Sequence, residues 1–103
     1  MSDAVIEMDA EKKEILIEKM TDNLPVLRKK LRLSQDELAK IIGSTRFTVM
    51  LLETKKRKMT WPMFLLLALM FEKNRETSVL VRALEIYTDE LDEMIRRDVE
   101  HAR

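Results

Sequence analysis

The stretch Leu33-Ser34-Gln35-Asp36-Glu37-Leu38-Ala39-Lys40-Ile41-Ile42-Gly43-Ser44-Thr45-Arg46-Phe47-Thr48-Val49-Met50-Leu51-Leu52-Glu53 decides the fold. Ser34 and Glu37 have the spacing of a capping box, in which each side chain accepts a hydrogen bond from the other residue's backbone N–H. A short helix over Gln35–Ile42 follows, with Leu38, Ala39 and Ile42 inward. Gly43, the only glycine in the chain, ends it, because a left-handed C-terminal turn is cheapest at glycine. Thr45 caps a second helix, Arg46–Glu53, whose Val49 and Leu52 face inward. Two short helices joined by a tight glycine turn form a helix-turn-helix. Ala39 lies where the helices cross, and a larger side chain there would push them apart.

Composition agrees with helices outside this stretch as well. The chain has 103 residues, 46% hydrophobic and 37% charged, with only one glycine and two prolines. Sheet proteins need turn residues every few positions, so an all-α domain with short connections is expected. With no cysteine, disulfides, thiolate-held metal and cysteine nucleophiles are excluded. The single histidine, His101, lies close to the C-terminus, which leaves a zinc site or a Ser-His-Asp triad little to be built on. No cofactor, metal or catalytic residue is expected, so the chain reads as a binding protein and not an enzyme. The acidic N-terminus lacks the apolar core of a signal peptide. The longest apolar run, Trp61 to Phe71, is too short to span a bilayer. A cytoplasmic protein without membrane partners is expected.

The net charge of zero conceals a segregation. From Leu24 to Thr60 there are ten basic and three acidic residues, a balance of +7, and the rest of the chain carries −7. A basic block within an acidic frame suits a polyanion such as nucleic acid. Around the central motif, residues 1–8 read as a loose tail, and Asp9 caps a helix over about Ala10–Met20 with Ile15, Leu16 and Met20 inward. Thr21-Asp22-Asn23 read as a break before Pro25, and Leu24, Leu27 and Leu31 mark a helix Leu24–Leu31. Thr60 caps Trp61–Phe71, with Pro62 in its first turn. That helix is apolar on every side, with Met63 and Met70 as core filler and Trp61 as a core anchor. Asn74 to Thr77 are polar punctuation. Val79, Leu80, Ala83 and Leu84 mark a further helix, and Thr88 caps the last, Asp89–His101, with Leu91, Met94, Ile95 and Val99 on one face. The organisation expected is an N-terminal tail and extra helix (1–23), a helix-turn-helix domain (24–72) and C-terminal helices (73–103).

The residues Leu33-Ser34-Gln35-Asp36-Glu37-Leu38-Ala39, Gly43, Thr45-Arg46-Phe47-Thr48-Val49, Leu52-Glu53 and Lys56-Arg57 resemble the motif of the Xre/Cro family of helix-turn-helix regulators, which includes the lambdoid phage repressors. The resemblance implies a five-helix repressor-like domain over Leu24–Phe71, here with extra N- and C-terminal helices. It implies that Arg46–Glu53 is a recognition helix in the major groove of double-stranded DNA, with Thr45, Arg46, Phe47 and Thr48 at its base-reading end. Arg46 can bond guanine O6 and N7, and Phe47 can sit against a thymine methyl. The same resemblance makes Gln35, Lys55, Lys56 and Arg57 phosphate contacts and makes Arg28 and Glu53 a structural ion pair. Met59-Thr60-Trp61 with Phe64-Leu65 resembles short Firmicute regulators, which implies a bacterial source. The sequence departs from the family at Ser44, Met50, Leu51 and Lys55. With Phe47, Met50 and Leu51 the outward face of the recognition helix gains an apolar cluster.

Two functions follow from these residues. The first is a sequence-specific DNA-binding repressor acting as a homodimer, paired through Phe64, Leu67, Phe71, Leu91, Met94 and Ile95. The second is a helix-turn-helix protein whose main partner is another protein, as an antitoxin binds its toxin. The basic run Lys55–Lys58 favours DNA, and the regular helix after Thr88 is unlike a tail that folds on a toxin.

Overall fold

A computed structural model describes residues 8–102, and in these it holds six α-helices and no strand. They are α1 (Ala10–Lys30), α2 (Gln35–Ile41), α3 (Arg46–Glu53), α4 (Trp61–Lys73), α5 (Arg75–Ala83) and α6 (Asp89–His101). Among the described residues, none of the helices is long and apolar enough to cross a membrane.

α1 corrects the sequence reading most. The expected break at Thr21-Asp22-Asn23 does not exist, and one helix runs through Pro25. Two of the supposed capping side chains are spent within the helix. The Thr21 hydroxyl donates to the Ile17 carbonyl and the Asn23 amide to the Lys19 carbonyl, both at 2.8 Å. Proline removes one backbone donor, but tertiary packing outweighs that loss. Leu16, Ile17, Met20, Leu24 and Leu27 form a single buried stripe that a break would split. Ile15, expected inward, is exposed and Ile17 takes its place in the core. Of the expected loose tail, residues 1–7 lie outside the described residues, while Met8 is buried.

α1 packs on α3, α4 and α5, and α4 packs on α5. α4 supplies the centre of the core through Phe64, Leu67, Ala68 and Phe71, all fully buried within this one chain. Half-buried Trp61 stacks on Phe64 with ring centroids 4.9 Å apart, and the Lys13 ammonium lies 5.1 Å above its ring. The polar punctuation before α5 shrinks to Asn74, whose side chain caps α5. Thr77 is buried and donates its hydroxyl to the Phe71 carbonyl at 2.7 Å, which seals the α4–α5 corner. Thr77 and Val81 face the core, whereas Val79 points into solvent.

The assembly surface expected on α4 and α6 is therefore corrected. Phe64, Leu67, Phe71 and Leu91 are 0% exposed and Met94 is 8% exposed. Ile95 is partly buried against the same core. Phe64, Leu67, Phe71, Leu91 and Met94 fill the interior of their own chain and are not available to a second copy, while Ile95 keeps part of its surface exposed. α1 and α5, which pack on α4, help bury its apolar residues within the chain.

Candidate nucleic-acid interface

α2 and α3 pack against each other. The Ser34–Glu37 capping box is complete, with both hydrogen bonds formed. α2 ends at Ile41 with Ile42 as its C-cap, and Gly43 sits at φ +70°. Its N–H donates to the Lys40 carbonyl and the Ser44 N–H to the Ala39 carbonyl, the paired bonds of a Schellman turn. Thr45 then caps α3 by accepting from the Thr48 N–H at 3.1 Å. Leu38, Ala39, Val49 and Leu52 are buried where the two helices meet.

A polar lock fixes α3 to the rest of the molecule. Arg28 at the end of α1 donates through Nε and Nη2 to the two Glu53 oxygens at 2.7 and 3.1 Å, and through Nη1 to the Leu33 carbonyl at 2.8 Å. The side chains are only 10% and 6% exposed. Gln35 donates from Nε2 to Glu53 Oε1 at 3.0 Å. One carboxylate thus gathers α1, α2 and α3. The expected Arg28–Glu53 pair is present, and Gln35, expected both to contact a phosphate and to brace the recognition helix, donates to Glu53 at the end of α3.

The N-terminal end of α3 faces outward. Arg46 and Phe47 are exposed, Phe47 by 61%. Gln35, Arg46, Phe47 and Met50 line a shallow groove beside them. Thr45 and Thr48 are engaged with each other, hydroxyl to hydroxyl at 3.1 Å. Arg57 donates to the Thr48 hydroxyl at 3.1 Å and ties the following loop to the start of α3. That link is invisible in the sequence, since a separation of nine positions gives no periodic signal once α3 ends. Lys55, Lys56, Arg57 and Lys58 are all exposed. Lys55 sits at φ +64° in a second Schellman turn, at the position where the motif prefers glycine or asparagine.

Sequence reasoning also missed the partners of two loop lysines. Lys55 meets Asp22 at 2.6 Å and Lys58 meets Glu14 at 2.5 Å, both acids on α1. Charge counting by segment placed these residues in different blocks and could not bring them together. Among the described residues no cluster of three His, Cys, Asp or Glu side chains is arranged to hold a metal ion. Comparison with protein-family models, with curated proteins and with solved structures finds no match to this chain.

Proposed function

We propose that the chain is a sequence-specific double-stranded DNA-binding regulator, of the Xre/Cro repressor-like helix-turn-helix type, acting from the cytoplasm of a bacterial cell. The observation that carries the reading is the outer end of α3. An exposed arginine and an exposed aromatic stand at its start, its inner side is locked by Arg28, Glu53 and Gln35, and four consecutive exposed cations follow it. A helix end held rigidly and flanked by cations suits major-groove insertion with backbone contacts alongside. Arg46 reads guanine and Phe47, with Met50 beside it, packs on a thymine methyl. Lys55, Lys56 and Arg57 contact phosphates. Thr45 and Thr48 shape the reading end through their mutual hydrogen bonds.

One helix reads about four base pairs, so two copies at half-sites roughly 34 Å apart are needed to single out a genomic site. The pairing surface excludes the buried side chains of α4 and α6 and uses residues outside the core. Selection of bound sites from random duplex DNA tests the reading. The expected outcome is a paired-half-site motif containing guanine next to thymine. Arg46→Ala relaxes preference at the guanine by about 1–3 kcal/mol. Replacing the thymine by deoxyuridine, which lacks only the methyl group, weakens the parent protein and leaves Phe47→Ala unaffected. Failure to enrich any sequence would overturn the reading.

A further inference from the structure

The unbroken course of α1 creates a feature that two separate helices would not have. Glu14, Glu18 and Asp22 are spaced by four, so they share one face of α1. That face lies across a cleft from the basic loop, with the three acids on one wall and Lys55, Arg57 and Lys58 on the other. Two contacts cross the cleft, Lys55 to Asp22 at 2.6 Å and Lys58 to Glu14 at 2.5 Å. The Lys55 ammonium is held above its ordinary pKa first by the hydrogen bond to Asp22, then by the charge of Asp22, with Glu18 adding to it.

An exposed ion pair adds little to folding stability, so the arrangement needs a reason other than stability. A carboxylate at 2.6 Å occupies the place around an ammonium that a phosphate oxygen would take. Because the acids are in the same chain, they compete at a fixed effective concentration that no dilution lowers. Arg46 and Lys56, by contrast, have no acidic partner among the described residues.

We propose that Glu14, Glu18 and Asp22 of α1 are an internal counter-ion for the loop Lys55–Lys58, displaced only when a duplex phosphate backbone takes their place. The proposal rests on the duplex-binding reading above. Its effect is selective. It weakens the sequence-independent attraction that the loop lysines supply and leaves the base contact of Arg46 uncovered, so a larger share of the remaining affinity comes from the sequence-reading contact.

The test uses the full chain, a duplex of random sequence and fluorescence anisotropy across a salt series. The variant Glu14→Gln/Glu18→Gln/Asp22→Asn is compared with Glu93→Gln/Asp98→Asn/Glu100→Gln, which makes the same charge change on α6, outside the cleft. The α1 variant is expected to bind roughly three- to tenfold tighter at low salt, with the slope of log K against log salt steeper by about 1 to 2, since each freed lysine then contributes in full. The α6 variant is expected to gain less than about twofold from net charge alone. Equal gains in both variants, or no gain in the α1 variant, would overturn the counter-ion while leaving duplex binding intact. If neither the parent nor the α1 variant binds any duplex, the duplex reading fails and the counter-ion fails with it. Circular dichroism checks that the variants fold, and Asp22→Asn alone, at a side chain 55% exposed, gives a smaller effect of the same sign.

Discussion

Two arginine–carboxylate pairs in this molecule share a geometry and differ in surroundings. Arg28 holds Glu53 through Nε and Nη2 at 2.7 and 3.1 Å, and Arg82 holds Glu72 through the same two atoms at 3.0 and 2.6 Å. The first pair is 10% and 6% exposed and gathers three helices, while the second is 47% and 16% exposed and spans α4 and α5. Contact geometry therefore does not rank them. Water solvates either partner of the second pair when the other is lost, but nothing replaces the partner of a buried ion. The Arg28–Glu53 pair places a buried ionic cost beside the α3 face, whereas the ion pairs of Lys55, Lys58, Arg82 and Arg96 each keep the cation 47% or more exposed.

Breaking the buried pair is the sharpest way to expose this difference. Glu53→Gln leaves Arg28 charged and underpaired and is expected to cost about 3–5 kcal/mol in urea unfolding. Glu72→Gln is expected to move the unfolding midpoint by only a small fraction of that. The double variant Arg28→Met/Glu53→Leu removes both charges and recovers most of the loss. Equal effects of Glu53→Gln and Glu72→Gln would show that burial does not separate the two regions.

The second region has its own buried group. Tyr87 is 4% exposed and donates its hydroxyl to Asp92 at 2.7 Å, with Arg82 lying 5.2 Å over its ring. Burial first, then the bond to Asp92, pushes its pKa from 10.0 up to about 12. The folded chain thus keeps a proton that the unfolded chain releases. This contribution is complete below pH 10 and is lost as pH rises from about 10 to about 12, on the order of 2 kcal/mol. Tyr87 is the only tyrosine, so tyrosinate absorbance reports it directly, with a midpoint near 12 in the folded protein. Tyr87→Phe, carried through the same urea series, lacks this component of the alkaline loss. A midpoint near 10 would place the ring in water.

The same contrast explains which parts of the fold were legible in the sequence. α3 and α6 run over the residues that their caps and periodicity predict, because Thr45 and Thr88 each cap in the one way a threonine before a helix can. Thr21 and Asn23 were ambiguous, since the same hydroxyl or amide either caps a new helix or bonds back to a carbonyl one turn earlier. Only the burial of Met20, Leu24 and Leu27 on one stripe decides between these, and that is a tertiary fact. The α4 stripe failed for the opposite reason. Spacing marks Phe64, Leu67 and Phe71 as one apolar face, but a sequence does not say whether its own chain or a partner covers that face. At the candidate interface, Arg28 and Glu53 were legible through a resemblance. Arg57 to Thr48 and the lysines opposite α1 depend on loop geometry that no spacing encodes.

A smaller effect compares two Schellman turns, one from each region. Gly43 at φ +70° and Glu85 at φ +59° adopt the same left-handed conformation with different residues. A Cβ at Gly43 would meet nothing within 4 Å, so Gly43→Ala carries the backbone cost alone, about 1 kcal/mol. Glu85→Gly is expected to stabilise by roughly the same amount, since its contact with Lys19 is long at 3.7 Å and exposed. Thermal unfolding of both variants checks the opposed signs. A loss at Glu85→Gly would mean that the Lys19 contact outweighs the strain.

The smallest effect lies at Arg96. It pairs with Asp92 one turn earlier at 2.8 Å, and its side chain is 71% exposed. The Arg96 hydrogen bond is the largest cause holding Asp92 below its ordinary pKa, followed by the Tyr87 hydroxyl. A depressed carboxylate contributes stability above its unfolded pKa and loses it as pH falls through the folded value. At neutral pH water largely replaces the lost guanidinium, so Arg96→Ala is expected to lower the urea midpoint only slightly. On acidification into the carboxylate range the parent protein surrenders the Asp92 contribution, and the variant has less of it to lose. The parent midpoint should therefore lie slightly above that of the variant at neutral pH, and the two should converge in acid. A neutral-pH loss comparable with that of Glu53→Gln would remove the distinction between the buried and the solvated pairs, because the two arginines would then be held alike despite their exposure.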